Sequence, residues 1–192
     1  MKLANLVAEA RACTLCAPHL PHPPRPVLRV GRGARIVIEG QAPGAKVNES
    51  GVPWQDDSGD HLREWLNVDR ETLEDPDSFA ILPVGFRWPG RRPGGDLPPR
   101  PECAPTGTNE FSPPCPSSSF TCSSVSTPRR YLSGLVKPTL TETARAFRDY
   151  LPNRIPLPHP SWRSKTWMKK NLWFEEALLP ELRRRVAETL DR

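Results

Sequence analysis

The sequence predicts an α/β domain of three layers, with helices on both faces of a mainly parallel sheet. Two observations lead to this prediction. Three short apolar runs, at 35–39, 79–84 and 154–157, are each followed by Gly or by a loop, as buried strands are. Helical patterns stand before, between and after these runs, which is the alternation that builds parallel sheets. At 192 residues the chain fits one domain, 1–192.

Four helices are expected around these strands, and hydrophobic spacing or capping residues indicate each of them. They cover 2–12, 58–68, 139–151 and 173–190. Ser58 can begin the second helix because its hydroxyl can accept a hydrogen bond from an unpaired amide of the first turn. Thr139 or Thr141 lies near the start of the third helix. The last helix is amphipathic, with Leu182, Val186 and Leu190 facing inward.

Composition narrows the class of protein. The 25 prolines require much loop, because proline interrupts helices and sheet ladders. A net charge of +5 fits an anionic partner such as nucleic acid, although an ordinary basic protein has the same charge. No apolar run approaches the length of a membrane span and no signal peptide is recognisable, so we expect a cytoplasmic protein. Five cysteines in that compartment favour a metal or cluster site over disulfides.

Residues 104–128 fit no expected element. Seventeen of these 25 residues are Ser, Thr, Pro or Gly, without a helical or strand period. One interpretation is a disordered insertion. The other is a local frameshift. If the codons from Thr106 onward are read so that the last base of each codon joins the first two bases of the next, a permissive choice of codons encodes WHERILAALPVIELHLLVGQYA. That string begins like a helix and continues as an apolar strand that ends in Gly. The genomic codons decide between the two.

Two motifs follow the first and last strands. They are Gly40-Gln41-Ala42-Pro43-Gly44, continuing to Gly51-Val52-Pro53-Trp54, and His159-Pro160-Ser161, followed by Arg163 and Lys165. Ligands bind at the carboxyl ends of strands in open α/β sheets, and both motifs are expected there. Each signal alone is weak, because a lone loop His is more often structural, such a turn is often only a turn, and a basic run is often a solvated surface.

Taken together, these motifs resemble the uracil-DNA glycosylase superfamily, in its bacterial iron–sulfur (family 4/5-like) class. The resemblance implies a base pocket bordered by the first motif, with the Trp54 ring stacking on an extruded base. It implies that His159 steadies the departing uracil anion while Pro160 and Ser161 press on the DNA backbone. Gln41 is the candidate catalytic partner of His159, and Arg163 and Lys165 are candidate phosphate contacts.

The resemblance also implies a four-stranded parallel sheet in the order 2-1-3-4. Its third strand should fall within 104–128, between the strand that leads to Gln41 and the strand that leads to His159. Because that segment lacks a strand pattern, we expect the third strand to be missing or disordered.

Three positions depart from the family pattern. Many members carry Asp or Asn at the position of Ala42, and the iron–sulfur class often has Glu at Gln41. Gln can orient a water molecule but is a poor base. The Asn that reads uracil in the family aligns with Pro83. These departures leave open a second function, a nucleic-acid-binding remnant without catalysis.

Cysteines supply the last part of the pattern. Cys13, Cys16 and Cys103 match three ligands of a 4Fe–4S cluster, which needs four thiolates. The fourth ligand should lie about 16 residues before Cys103, and Arg87 stands there. The resemblance therefore implies an incomplete cluster, unless Cys115 or Cys122 substitutes. A CxxC metal-binding protein unrelated to DNA is the third alternative. For the glycosylase-like interpretation we expect a monomer whose partner is DNA and that does not enter a membrane.

Overall fold

The computed structural model describes residues 3–103, 120–124 and 137–192, with the backbone alone described over 120–124. Its main sheet contains β1 (Ile36–Gly40), β2 (Phe79–Pro83), β5 (Phe120–Ser124) and β6 (Arg154–Leu157), in the spatial order β2-β1-β5-β6. All three pairings are parallel. A small antiparallel hairpin, β3 (Arg91–Arg92) with β4 (Gly95–Asp96), lies in the loop after β2. The α/β class predicted from the sequence is confirmed.

The third strand was expected to be missing or disordered; that it is missing is contradicted, because the structure has a paired strand within 104–128. Phe120–Ser124 pairs with β1 on one side and with β6 on the other, in continuous register. The backbone ladder does not depend on side-chain hydrophobicity, so a segment rich in Ser and Thr can supply the amides and carbonyls that its neighbours need. The rest of the predicted aberrant segment 104–128 lies outside the described residues.

Helices alternate with the strands. They are α1 (Leu3–Ala12), α2 (Ala45–Ser50), α3 (Asp57–Leu66), α4 (Arg70–Glu74), α5 (Leu140–Arg145), α6 (Trp162–Lys169) and α7 (Leu179–Leu190). A 3-10 turn (Phe147–Tyr150) follows α5, and one π turn (Phe174–Leu178) leads into α7. Thr139 caps α5 with a complete capping box. The expected cap at Ser58 is wrong: Asp56 caps α3, because its carboxylate accepts the amide of Gly59.

Two apolar clusters cover the sheet, one on each face. Ile36 and Ile38 of β1 pack with α3 and α7 on one face, while Val37 of the same strand packs with α1 on the other. This alternation is the period-two pattern of a strand buried on both sides. Within the described residues, no helix combines the length and apolar character needed to cross a membrane.

Candidate active site

A cavity of about 490 Å³ opens beyond the carboxyl ends of β1, β2 and β6. Nine of the eleven residues predicted for catalysis, the base pocket or DNA binding line this cavity: Gly40, Gln41, Ala42, Pro43, Gly44, Trp54, His159, Ser161 and Arg163. Two predicted residues do not: Pro160 is buried in the adjoining turn and Lys165 is exposed on α6. The structure therefore brings Gln41 and His159, which are far apart in the chain, to the same cavity. We call residues 40–59 and 159–163 the cavity region.

The turn after β1 is fixed by backbone hydrogen bonds to the segment after β2. The amide of Val84 donates to the Gly40 carbonyl, and the amide of Gly85 donates to the Gln41 carbonyl, both at 2.9 Å. Helix α2 begins directly after this turn, with Gly44 at its N-cap. Gln41 is thus held by its main chain at the cavity wall.

Trp54 holds an unusual backbone conformation that places its ring over the turn. Its φ of 59° lies in the left-handed region, which is uncommon for residues other than Gly. The Trp54 carbonyl lies against α3 at Gly59, where an added Cβ would come within 1.8 Å of the oxygen. Only Gly fits at position 59. The Trp54 and His159 rings are 5.9 Å apart between centroids and tilted by 36°.

His159 follows β6 in a turn that is joined to α3. His61 of α3 donates from Nδ1 to the Pro160 carbonyl at 3.1 Å, and the Ser161 amide donates to the His159 carbonyl at 2.8 Å. Burial lowers the pKa of His159 below its usual 6.5, and the carboxylates of Asp56 and Asp96 act in the opposite direction. The imidazole is therefore neutral at pH 7 and can donate one hydrogen bond into the cavity.

Two carboxylates approach the same wall of the cavity. A Cβ added at Gly44 would lie 3.8 Å from Oδ2 of Asp56 and 3.9 Å from Oδ2 of Asp96. Asp56 uses its other oxygen, Oδ1, to accept the Gly59 amide at 3.0 Å, so the cap orients Oδ2 toward the cavity. Asp96 comes from the β3–β4 hairpin and is paired with Arg91 at 3.7 Å. A water molecule at this wall would have carboxylate acceptors that Ala42 and Gln41 do not provide.

A comparison with protein families identifies the chain. The model of the uracil DNA glycosylase superfamily matches residues 29–183, which is more than half of the chain. The chain belongs to the uracil DNA glycosylase superfamily. The family resemblance drawn from the two motifs is confirmed at this level.

The entrance of the cavity carries an exposed aromatic residue. Trp162 begins α6 and is 69% exposed, although it lines the cavity. The Arg163 guanidinium lies 5.3 Å from the centroid of the Trp162 ring. Nη2 of Arg163 also donates to the Gly94 carbonyl at 3.4 Å. With Lys165 exposed on the same helix, the rim combines positive charge with an aromatic surface, as nucleic-acid-binding faces do.

The predicted cluster ligands come together on another part of this superfamily member. The Sγ atoms of Cys16 and Cys103 are 3.9 Å apart, and both residues are buried. Burial and the neighbouring Cys16 raise the pKa of the Cys103 thiol. Nη1 of Arg87 lies 3.0 Å from Cys16 Sγ and 4.0 Å from Cys13 Sγ. We call Cys13, Cys16, Arg87 and Cys103 the cysteine region.

Sequence reasoning missed Asp56, Asp96 and Trp162, which all line the cavity. Asp56 could have been found, because Asp is a preferred N-cap and stands three residues before Gly59. Trp162 could have been found as the aromatic residue directly after the His-Pro-Ser motif. No local signal identifies Asp96, because its position depends on a two-residue hairpin within a proline-rich loop.

Proposed function

We propose that this chain is a DNA glycosylase of base excision repair that removes uracil or another deaminated base. In the proposed reaction the bond between the base nitrogen and C1′ of the deoxyribose breaks, and its electron pair leaves with the base. A water oxygen forms a new bond to C1′ and gives up one proton. The products are the free base and an abasic site. The cavity needs a base rotated out of the helix, because the bond is inaccessible within the stack.

His159 is proposed to stabilise the departing base. Its neutral imidazole can donate a hydrogen bond to the oxygen on which negative charge develops, and the partly buried cavity strengthens that interaction. A protonated imidazole is not required, which agrees with the lowered pKa. Trp54 offers the adjoining aromatic surface for stacking, 5.9 Å from the His159 ring.

Asp56 is proposed to accept the proton of the attacking water, with Gln41 orienting that water. The cap at Gly59 fixes the Asp56 carboxylate, and its free oxygen faces the wall at Gly44. Asp96 adds negative charge on the same wall, which favours the positive charge that develops on the sugar as the base departs. This arrangement supplies a base although Gln41 and Ala42 stand where many relatives carry acidic or amide residues.

The observation that carries the proposal is the meeting of Gln41, Trp54 and His159 around one cavity at the carboxyl ends of parallel strands. Trp162 supports DNA as the partner, since exposed apolar side chains beside such a cavity can enter the base stack and kink the duplex.

A labelled oligonucleotide with one uracil tests the proposal, in single-stranded and double-stranded form. Wild-type protein should generate abasic sites, and His159→Ala should lower the single-turnover rate by roughly 10²–10³-fold. His19→Ala is the matched control, because His19 is exposed and does not line the cavity. Equal rates for His159→Ala and wild type would exclude the proposed role of His159.

A second candidate function is DNA binding without catalysis. Ala42 and Pro83 both line the cavity, and neither side chain can accept or donate a hydrogen bond. Under this alternative the protein binds uracil-containing DNA but releases no base. Its affinity for the DNA should fall as the salt concentration rises. A binding assay run beside the release assay separates the two functions.

We further propose that the chain derives from the iron–sulfur class and that 104–128 arose by frameshift. Cys13, Cys16 and Cys103 support the first proposal. The second is supported by position, because the strand Phe120–Ser124 lies where the shifted frame can encode HLLVG. Genomic codons across this segment that cannot encode the shifted string would exclude the frameshift.

A further inference from the structure

Arg87 occupies the place in the cysteine region where the iron–sulfur class would need its fourth thiolate. The residue is 3% exposed, and its guanidinium reaches Sγ of Cys16 at 3.0 Å. Two of its nitrogens, Nε and Nη2, are buried and have no hydrogen-bond partner among the described residues. The space between the cysteines is therefore filled by a cation.

This set of residues does not fit a 4Fe–4S cluster. Such a cluster is held by four thiolates, whereas guanidinium has five donors, no lone pair to offer iron, and a permanent positive charge. Within the described ranges, no three His, Cys, Asp or Glu side chains are arranged to hold a metal ion.

The backbone holds the cysteine region in place from three sides. The His19 amide donates to the Cys16 carbonyl at 3.0 Å, and the Cys103 amide donates to the Arg100 carbonyl at 3.0 Å. The carbonyl of Phe86, next to Arg87, accepts from the Val27 amide, and the Phe86 ring packs in the apolar cluster that contains α1. Arg87 therefore connects segments that are separated by more than 70 residues.

We propose that Arg87 replaces the cluster, so that this chain folds without iron and the buried guanidinium joins the N-terminal segment to the loop that ends at Cys103. The inference goes beyond the proposed function, because no residue of the cysteine region lines the cavity. Reversing one substitution, Arg87→Cys, should restore a four-thiolate site.

Metal content of the full chain tests the proposal. Wild type, Arg87→Cys, Arg87→Lys and Cys16→Ser are produced with added iron and purified without air. Iron, zinc, acid-labile sulfide and visible absorbance are measured on each. Wild type should carry no more metal than Cys16→Ser, and Arg87→Cys should gain about four irons per chain with brown colour.

Two outcomes would overturn the proposal. In the first, wild-type protein contains iron and sulfide, or zinc, and the Cys16→Ser variant does not. The other is folded Arg87→Cys with no more iron than Arg87→Lys. Where Arg87→Cys yields no folded protein, the wild-type metal content decides alone.

Hydrogen exchange tests the structural role of the guanidinium separately. Arg87→Met should speed exchange of amides in 3–20, because the link to Cys16 is lost. Arg29→Met is the matched control, since Arg29 also has a buried, unpaired Nε but donates to the Leu73 carbonyl instead. Unchanged exchange over 3–20 in Arg87→Met would contradict the role assigned to Arg87.

Discussion

The cavity region and the cysteine region both depart from the pattern that the family resemblance implies, with different structural results. Along the cavity, Ala42 and Pro83 provide no polar side chain, yet Asp56 and Asp96 bring carboxylates to one wall. In the cysteine region, the guanidinium of Arg87 lies 3.0 Å from Cys16 Sγ, at the position where the resemblance implies a fourth cluster ligand. A site lined by several loops can recover a function from a neighbouring residue. A metal site that needs four ligands of one kind cannot.

The largest expected effect is on the rate of base release, when a substitution removes one negative charge from the cavity region. Asp56→Asn should lower the single-turnover rate of base release by about 10²-fold or more, because the amide is a poor base. Stability should change little, since Asn also caps helices well.

Asp69→Asn is the control for this substitution, because Asp69 caps α4 in the same way, through the Thr72 amide. It should leave the rate unchanged. A rate for Asp56→Asn equal to that of Asp69→Asn would remove Asp56 from the mechanism. Metal content should be the same in both variants and in wild type.

Gly59→Ala should give the next largest effect, on stability. The added Cβ would meet the Trp54 carbonyl at 1.8 Å, so the free energy of unfolding should fall by up to about 3 kcal/mol. Gly40→Ala is the comparison, because its Cβ would lie 3.9 Å from Cζ2 of the same Trp54, an ordinary contact. Denaturant unfolding measures both, and equal losses would show that the contact at Gly59 is not restrictive.

Pro83→Asn would place one polar side chain in the cavity, at a position where the wild-type side chain has none. An amide there can read the edge of uracil, and one hydrogen bond corresponds to up to about tenfold in selectivity. The ratio of uracil to hypoxanthine release measures the effect. A ratio no different from wild type would mean that position 83 does not face the bound base.

The smallest expected effect concerns pH. Because burial lowers the pKa of His159 below 6.5, the imidazole stays neutral as pH falls from 8 to 6.5, and the single-turnover rate should fall less than twofold. The stability that depends on neutral His159 is present above pH 6.5 and is lost as pH falls through the folded-state pKa. An NMR titration, assigned with His159→Ala, measures that pKa. A midpoint at or above 6.5 would contradict the effect of burial.

Strong local patterns in the sequence predicted the main strands and both motifs. The apolar runs at 35–39, 79–84 and 154–157 are strands because their side chains are buried on both faces of the sheet. Helix α2 was not predicted, because its six residues give too little periodicity and Gly51 ends it in the left-handed region. Helix α6 was not predicted, because most of its eight residues are polar and they give little hydrophobic periodicity.

The site was less predictable than the sheet, because its decisive contacts join distant segments. Spacing alone aligned Arg87 with a cluster ligand, but the contact between its guanidinium and Cys16 spans 71 positions and is set by folding. The carboxylate of Asp56 was missed because Ser58 is also a good capping residue. The strand at 120–124 was unexpected because its pairing depends on the backbone, whereas hydrophobic patterns report only side chains.

The left-handed backbone at Trp54 has a consequence for the proposed binding of an extruded base. The backbone conformation of Trp54 and its contact with α3 at Gly59 fix the position of the Trp54 Cα. The indole is therefore held at the cavity without a bound ligand. The entropy of ordering that aromatic platform is lost during folding and not at each encounter. Capture of a rotated base should therefore require little rearrangement of this wall, and the slow event should be the opening of the DNA itself.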